Sequence, residues 1–170
     1  MATTCKLIGK VSLGSAAATI EFTDIPGTFT DLFWVLSLRS DGAVRQAVPM
    51  LTINGSTSNF SSRNLRGSGS AAASFSYTAR AICQANGDSS TSNTFTSLEM
   101  YFPNYAGSSY KSFSATAAQE DNQTEAYIDL QAGLWSNTAA ITSLSVSVLT
   151  GGGSNWKAGS SAYLYSITKA

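Results

Sequence analysis

Between Thr94 and Phe102 the chain alternates without a break: Phe95, Ser97, Glu99 and Tyr101 take one set of positions, and Thr94, Thr96, Leu98, Met100 and Phe102 the other. A period of two residues belongs to an extended strand, not to a helix, so this segment has one face to bury and one to leave open. Pro103 closes it, because proline has no N–H to give a ladder. Residues 71 to 83 repeat the pattern, with Phe75, Tyr77, Ala79, Ala81 and Cys83 set against Ser74, Ser76, Thr78, Arg80 and Ile82. A chain with this rhythm is confined to sheet architectures.

The segment Phe22 to Arg39 supplies the apolar centre. A Pro-Gly turn at Pro26 and Gly27 leads into Leu32, Phe33, Trp34, Val35, Leu36 and Leu38, and the run closes on Arg39. Rich in aromatic and branched side chains and bounded by turn signals, it reads as a strand buried on both faces. Strands are also expected at Lys6–Val11, Ala18–Phe22, Val48–Ile53, Lys111–Ala118, Ala126–Leu134, Ile141–Val148 and Ala162–Ile167. Asn54-Gly55 marks a tight reversal. Residues 56 to 70, dense in Ser, Asn and Gly, read as a long surface loop pinned by Phe60 and Leu65, and residues 84 to 93 as a second polar loop. Short strands about a dozen residues apart, roughly ten in all and with almost no helical periodicity, predict an all-β fold: an antiparallel β-sandwich, jelly-roll-like. The 170 residues suit a single domain, 1–170, large enough to bury one core.

Composition narrows function more than fold. Only 12% of residues are charged, and ten basic against ten acidic side chains give a net charge of zero. Such a chain is poorly suited to nucleic acid, where Lys and Arg neutralise phosphate, and it is not kept apart from other copies by repulsion. There is no histidine, so Ser-His catalysis and histidine-based zinc sites are excluded. No stretch approaches the ~20 apolar residues of a membrane span. The opening MATTCKLIGKVSLG has no apolar core of signal-peptide length, which predicts a product that stays in the cytoplasm of the producing cell until lysis. Cys5 and Cys83 read as small buried apolar side chains in preference to a disulfide.

Several segments taken together resemble a group of tailed-bacteriophage virion proteins found in phages of cyanobacteria and marine bacteria. They are Ile20, Phe22, Ile25, Pro26 and Phe29 to Leu32; Ile53, Asn54, Gly55 and Phe60; YFPNYA at Tyr101 to Ala106 with Lys111 and Ser112; GLWS at Gly133 to Ser136 with Ala140 to Thr142; and GSSAYLYSI at Gly159 to Ile167. The likeness runs over nearly the whole chain. It implies a virion structural protein without catalytic residues or cofactor, either a capsid decoration protein of the cement or head-fibre kind or a tail component. Its implied partners are the major capsid protein or other virion proteins and further copies of itself, with a host glycan as the ligand of a fibre.

Candidate chemistry is sparse. Glu120 with Glu125, or Glu21 with Asp24, are the carboxylate pairs available for glycoside hydrolysis, but all sit at loop edges where charge serves solubility. The Ser, Asn and Asp loops lack the spaced Asp pattern of a calcium loop, and Gly151 to Gly153 lack the Lys-Ser/Thr ending of a phosphate loop. Glu99, inside an apolar strand, predicts an ion pair with a partner such as Arg80 or Arg39 on a neighbouring strand, or a charge that guards a sheet edge. Trp156, Tyr105, Tyr110 and Trp135 lie in or beside loops. They are the candidate ligand or interface aromatics, either a stacking platform for sugar rings or anchors that hold loops to the core or to a neighbouring subunit.

Overall fold

A computed structural model describes residues 4–124, 126–149 and 155–168. Within them lie thirteen strands: β1 (Cys5–Ser12), β2 (Thr19–Phe22), β3 (Asp31–Leu38), β4 (Gln46–Ala47), β5 (Pro49–Ile53), β6 (Phe60–Gly67), β7 (Ala72–Tyr77), β8 (Ala85–Asn86), β9 (Thr96–Phe102), β10 (Lys111–Gln119), β11 (Tyr127–Trp135), β12 (Leu144–Val148) and β13 (Ser161–Ile167). All pairings between these strands are antiparallel, and the chain is a single-domain all-β sandwich. Its two layers are unequal. Eight strands form one sheet in the order β1-β13-β3-β9-β10-β11-β6-β7, and three form the other in the order β2-β12-β5, with β4 and β8 as a separate short pair.

The central run of the sequence becomes β3, near the middle of the large sheet. Its Leu32, Trp34, Leu36 and Leu38 are fully buried and belong to one cluster with Ile20 and Phe22 of β2, Leu51 and Ile53 of β5, and Leu144 and Val146 of β12. Phe22 meets Trp34 edge-on at 6.0 Å between ring centroids. Each such side chain contributes on the order of 1.5–3 kcal/mol by leaving water. The expectation that both faces of this strand are buried is corrected, however: Phe33, Val35 and Ser37 are half-exposed on the outer face. Among the described residues no layer covers that side, so a long apolar run here reflects aromatic and branched strand preference as well as burial.

Residues 56 to 70 are not a loop. They carry β6, which sits between β11 and β7 with continuous register from Phe60↔Trp135 to Gly67↔Ile128. The polar composition misleads because the buried side of β6 is itself polar, with Ser62 and Asn64 inside, while Arg63 and Leu65 point out. In residues 71 to 83 the strand ends at Tyr77, and the chain then crosses the edge of β5. There Arg80 O accepts from Leu51 N at 2.9 Å, and Ile82 N donates to Pro49 O at 2.9 Å. The second polar loop contains the short β8.

Loops are tied down by single polar side chains. The Arg39 guanidinium, buried at the end of β3, donates to the carbonyls of Thr91 (2.8 Å), Thr94 (2.9 Å), Asp88 (3.2 Å) and Ser90 (3.0 Å). Lys111 donates through Nζ to the carbonyls of Gly107 at 2.6 Å and Ser109 at 2.5 Å. Asn54 and Gly55 take φ of 51° and 72°, the turn their sequence predicts, and Asn54 Oδ1 also accepts from Thr142 N (2.8 Å) and Ser143 N (3.0 Å).

Gly133 shows how tightly the inner face is filled. A Cβ there would lie 2.1 Å from Cζ of Phe113, whose ring is held in turn by Phe102 at 5.4 Å. Gly133→Ala is therefore expected to destabilise the fold by ~1–3 kcal/mol, a fall of roughly 3–10 °C in Tm. Thermal denaturation checks this; an unchanged Tm would mean that the Phe113 ring has room to move.

Candidate functional site

Three of the four singled-out aromatics belong to the core. Trp156 is fully buried, its Nε1 donates to Val146 O at 3.0 Å, and its backbone bridges both Ala17 and Ser40. Trp135 is buried at the end of β11 and stacks on Phe60 at 6.4 Å and 25°. Tyr105 is fully buried, with its hydroxyl donating to Pro26 O and its carbonyl accepting from Ile141 N at 3.0 Å. Tyr110 alone of the four is exposed, at 58%. A sugar platform built from these residues is corrected on that ground: Tyr105, Trp135 and Trp156 anchor loops from inside.

The charged candidates do not converge either. Glu99 is exposed on the outer face, between Val35 and Thr116, while both suggested partners act elsewhere. Arg39 is committed to the loop carbonyls and Arg80 to Thr52 Oγ1 at 2.8 Å, so the expected ion pair does not form. Glu21 lies exposed on β2 and Asp24 exposed in the following turn at φ 54°. Glu120 is exposed and accepts from Asn122 N at 2.7 Å. Glu125 and Gly151 to Gly153 lie outside the described residues. The buried acids have partners: Asp129 pairs with Arg66 at 2.7 Å and Asp121 with Arg45 at 3.5 Å. Among the described residues no three Cys, Asp or Glu side chains gather as a metal site. Both cysteines are free; Cys83 is buried as expected, but Cys5 is exposed on β1.

One inner corner of the sandwich is polar, which sequence patterning missed. Asn64, Gln131, Asp129 and Gln119 face inward from β6, β11 and β10, and residues 80–84 close over part of them. Gln131 holds that segment, accepting from Cys83 N at 2.8 Å and donating to Ala81 O at 2.9 Å. A cavity of about 190 Å³ remains, lined by Asn64, Arg66, Tyr77, Cys83 and Gln131 among others. The signal was present in β11, where Asp129 and Gln131 alternate with Ile128, Leu130 and Ala132, but polarity alone suggested the opposite face as the buried one.

That inversion produces the most distinctive surface of the molecule. Strand register aligns the outward positions of the large sheet in rows across the strands. One row reads Lys10, Tyr163, Val35, Glu99, Thr116, Leu130, Leu65 and Ser74, and its neighbour reads Leu7, Tyr165, Phe33, Tyr101, Ser114, Ala132, Arg63 and Ser76. A third begins Ser12, Ser161, Ser37, Ser97 and continues through Ala118, Ile128, Gly67 and Ala72. In these three rows only Lys10, Glu99 and Arg63 carry charge. Toward β11 and β6, Ile128, Leu130 and Leu65 are 61%, 56% and 54% exposed and adjoin one another, with Leu130 paired directly to Leu65. Contiguous exposed apolar side chains on a sheet face mark a contact surface.

No protein-family model matches the chain, and no curated protein matches it in sequence. Among solved structures it is similar to the fructofuranosidase of Schwanniomyces occidentalis complexed with fructose, at 9% identity and a TM-score of 0.28. A variant of the same enzyme complexed with fructosylnystose gives 10% and 0.29. In each case 99% of this chain is covered but it spans only 35% of the other. Likeness at this level carries no argument about function.

Three titratable groups oppose folding at alkaline pH. Burial, assisted by Asp129, pushes the Cys83 thiol above its ordinary 9.0. The hydrogen bond to Asp31, at 2.7 Å, and then burial raise Tyr101 above 10.0, and burial raises Tyr105. In each case the unfolded chain releases a proton that the folded chain keeps, so stability falls as pH rises. Lys111, lowered from 10.5 by burial, acts in the opposite sense just below that value. Above about pH 10.5 Lys111 no longer distinguishes the two states and the three raised groups act alone, so stability measured by urea midpoint is expected to decline there, by less in Cys83→Ala. A midpoint that rises above pH 10.5 would contradict it.

Proposed function

We propose that this chain is a non-enzymatic structural protein of a tailed-phage virion, attached to the outer capsid surface through the outer face of its eight-stranded sheet. The observation that carries the proposal is the charge-poor apolar patch of Leu65, Ile128 and Leu130, set in a field of Ser, Thr and Ala. Small and apolar side chains on an ordered sheet suit close contact with another folded protein, where shape and burial supply affinity without charge steering. The segment resemblance to virion proteins supports the same reading. A fibre module that binds a host glycan is the weaker alternative, since Tyr105, Trp135 and Trp156 are spent on the core.

Binding of the purified protein to particles stripped of it should change little between low and high salt. Leu130→Lys should weaken it ~10-fold or more at unchanged Tm, because burying one leucine contributes about 1.5–3 kcal/mol and about 1.4 kcal/mol is tenfold. Steep loss of wild-type binding in moderate salt, or full binding by Leu130→Lys, would count against this surface.

A further inference from the structure

Sheet edges display unpaired backbone donors and acceptors, and folded proteins guard them with charge, proline, bulges or a covering segment. Three of the four edges of the two larger sheets are guarded. Strand β1 carries Lys6 and Lys10 and a register shift between Leu7 and Gly9. Strand β2 is four residues long and bears the exposed Glu21. Strand β5 is covered by residues 80–82, through the backbone bonds to Leu51 and Pro49 and the bridge from Met50 to Ala81.

Among the described residues, strand β7 has none of these devices. From Gly67 to Ala79 the sequence contains no charged residue and no proline. Its register with β6 is unbroken from Gly67↔Ala72 to Ser62↔Tyr77, so no bulge twists it away. Among the described residues no hydrogen bond leaves Ala72–Tyr77 on the side away from β6.

We infer that β7 is a dimerisation edge, which pairs antiparallel with β7 of a second copy of this chain about a two-fold axis normal to the sheet. Such an axis keeps inner residues on the inner side, so paired residue numbers must have the same parity. Ala73, Phe75 and Tyr77 form the inner set, alongside Arg66, Asn64 and Ser62 of β6. Centring the pair on Phe75 sets Phe75 against the partner's Phe75, Ala73 against the partner's Tyr77, and Ser74 against the partner's Ser76. This register extends an existing aromatic stack, Phe75 on Tyr77 at 6.1 Å and 21°, into the second copy. Centring on Ser74 would leave each Phe75 opposite an alanine.

Self-pairing is also electrically unopposed. The segment is uncharged, Arg66 beside Ala73 is neutralised by Asp129, Arg63 beside Ser76 lies one strand in from the edge on the outer face, and the whole chain carries no net charge. In this register both β7 strands separate the Arg63 of one copy from that of the other, so no like charges are directly opposed. The outer-face patch adjoins β7 through β6, so the dimer sets two such patches side by side, but its formation does not depend on what they bind.

A single strand pair buries less than the ~1,200 Å² of a standard interface, so the dimer is weak and concentration-dependent. Sedimentation velocity of the full chain from low to high micromolar concentration should show a monomer passing to a closed dimer. Ser74→Lys combined with Ser76→Lys places like charges opposite one another and should give monomer throughout, at unchanged Tm. Ser74→Lys combined with Ser76→Glu places opposite charges face to face and should keep the dimer. Independently of those charges, Phe75→Cys in a Cys5→Ser background should cross-link to a dimer on mild oxidation, since directly opposed strand residues lie about 4.5–5.5 Å apart at Cα, within disulfide reach. A wild-type chain that stays monomeric across the range, as it would if this edge took a strand from a different protein, overturns the inference. So does a dimer that survives the double lysine variant, an open-ended polymer, or the absence of the cross-link.

Discussion

Everything in this molecule depends on the burial of one face of β3 against the three-stranded sheet. Leu32, Trp34, Leu36 and Leu38 meet the apolar sides of β2, β12 and β5, and the rest of the large sheet is built outward from that contact. Three strands cannot cover eight. The inner face beyond β9 is therefore closed by loops and by polar groups, some of them paired, such as Gln131 with residues 81 and 83 and Arg66 with Asp129, while the Gln119 amide, Asn64 Oδ1 and Ser62 Oγ are buried without a hydrogen-bond partner. Among the described residues the opposite face of the large sheet has no covering layer. A sandwich with such unequal layers presents a broad ordered surface whose composition is free to serve contact.

The scarcity of charge takes on a structural meaning in this setting. Several of the few ionic side chains are used inside, each holding a loop by its carbonyls or closing a buried pair. Arg39 gathers four carbonyls of residues 88–94, a geometry that suits the planar fork of a guanidinium better than an ammonium. Lys111 does the same for the turn before β10. Asp31 accepts from the hydroxyl of Tyr101 and from Asn104 N at 2.8 Å, joining the start of β3 to the turn after β9. What remains outside on the large sheet is largely Ser, Thr, Ala, aromatic and aliphatic.

The sheet class and most strands were legible because alternation survives in the sequence wherever one face is apolar. Strands β3, β9, β10, β11 and β13 lie close to where their residues place them, and the Asn54-Gly55 turn has the backbone its dipeptide demands. Strand β6 was hidden because both its faces mix polar and apolar residues: Ser62 and Asn64 are inside and Leu65 outside, the reverse of the usual rule. The same reversal in β11 concealed the surface patch. Loop aromatics were ambiguous for a different reason, since burial of Trp156 depends on contacts with residues 17, 40 and 146, remote in sequence from one another. Glu99 drew attention as an oddity in an apolar strand, whereas its significance is that it marks the outward face.

The proposed decoration role rests on the charge-poor outer face of the large sheet, and its most direct test is stoichiometry. Quantitative mass spectrometry of purified virions gives the copy number of this chain relative to the major capsid protein. Attachment to the capsid lattice predicts a simple whole-number ratio to that protein. A handful of copies per particle would contradict it and place the chain at the tail or on sparse fibres.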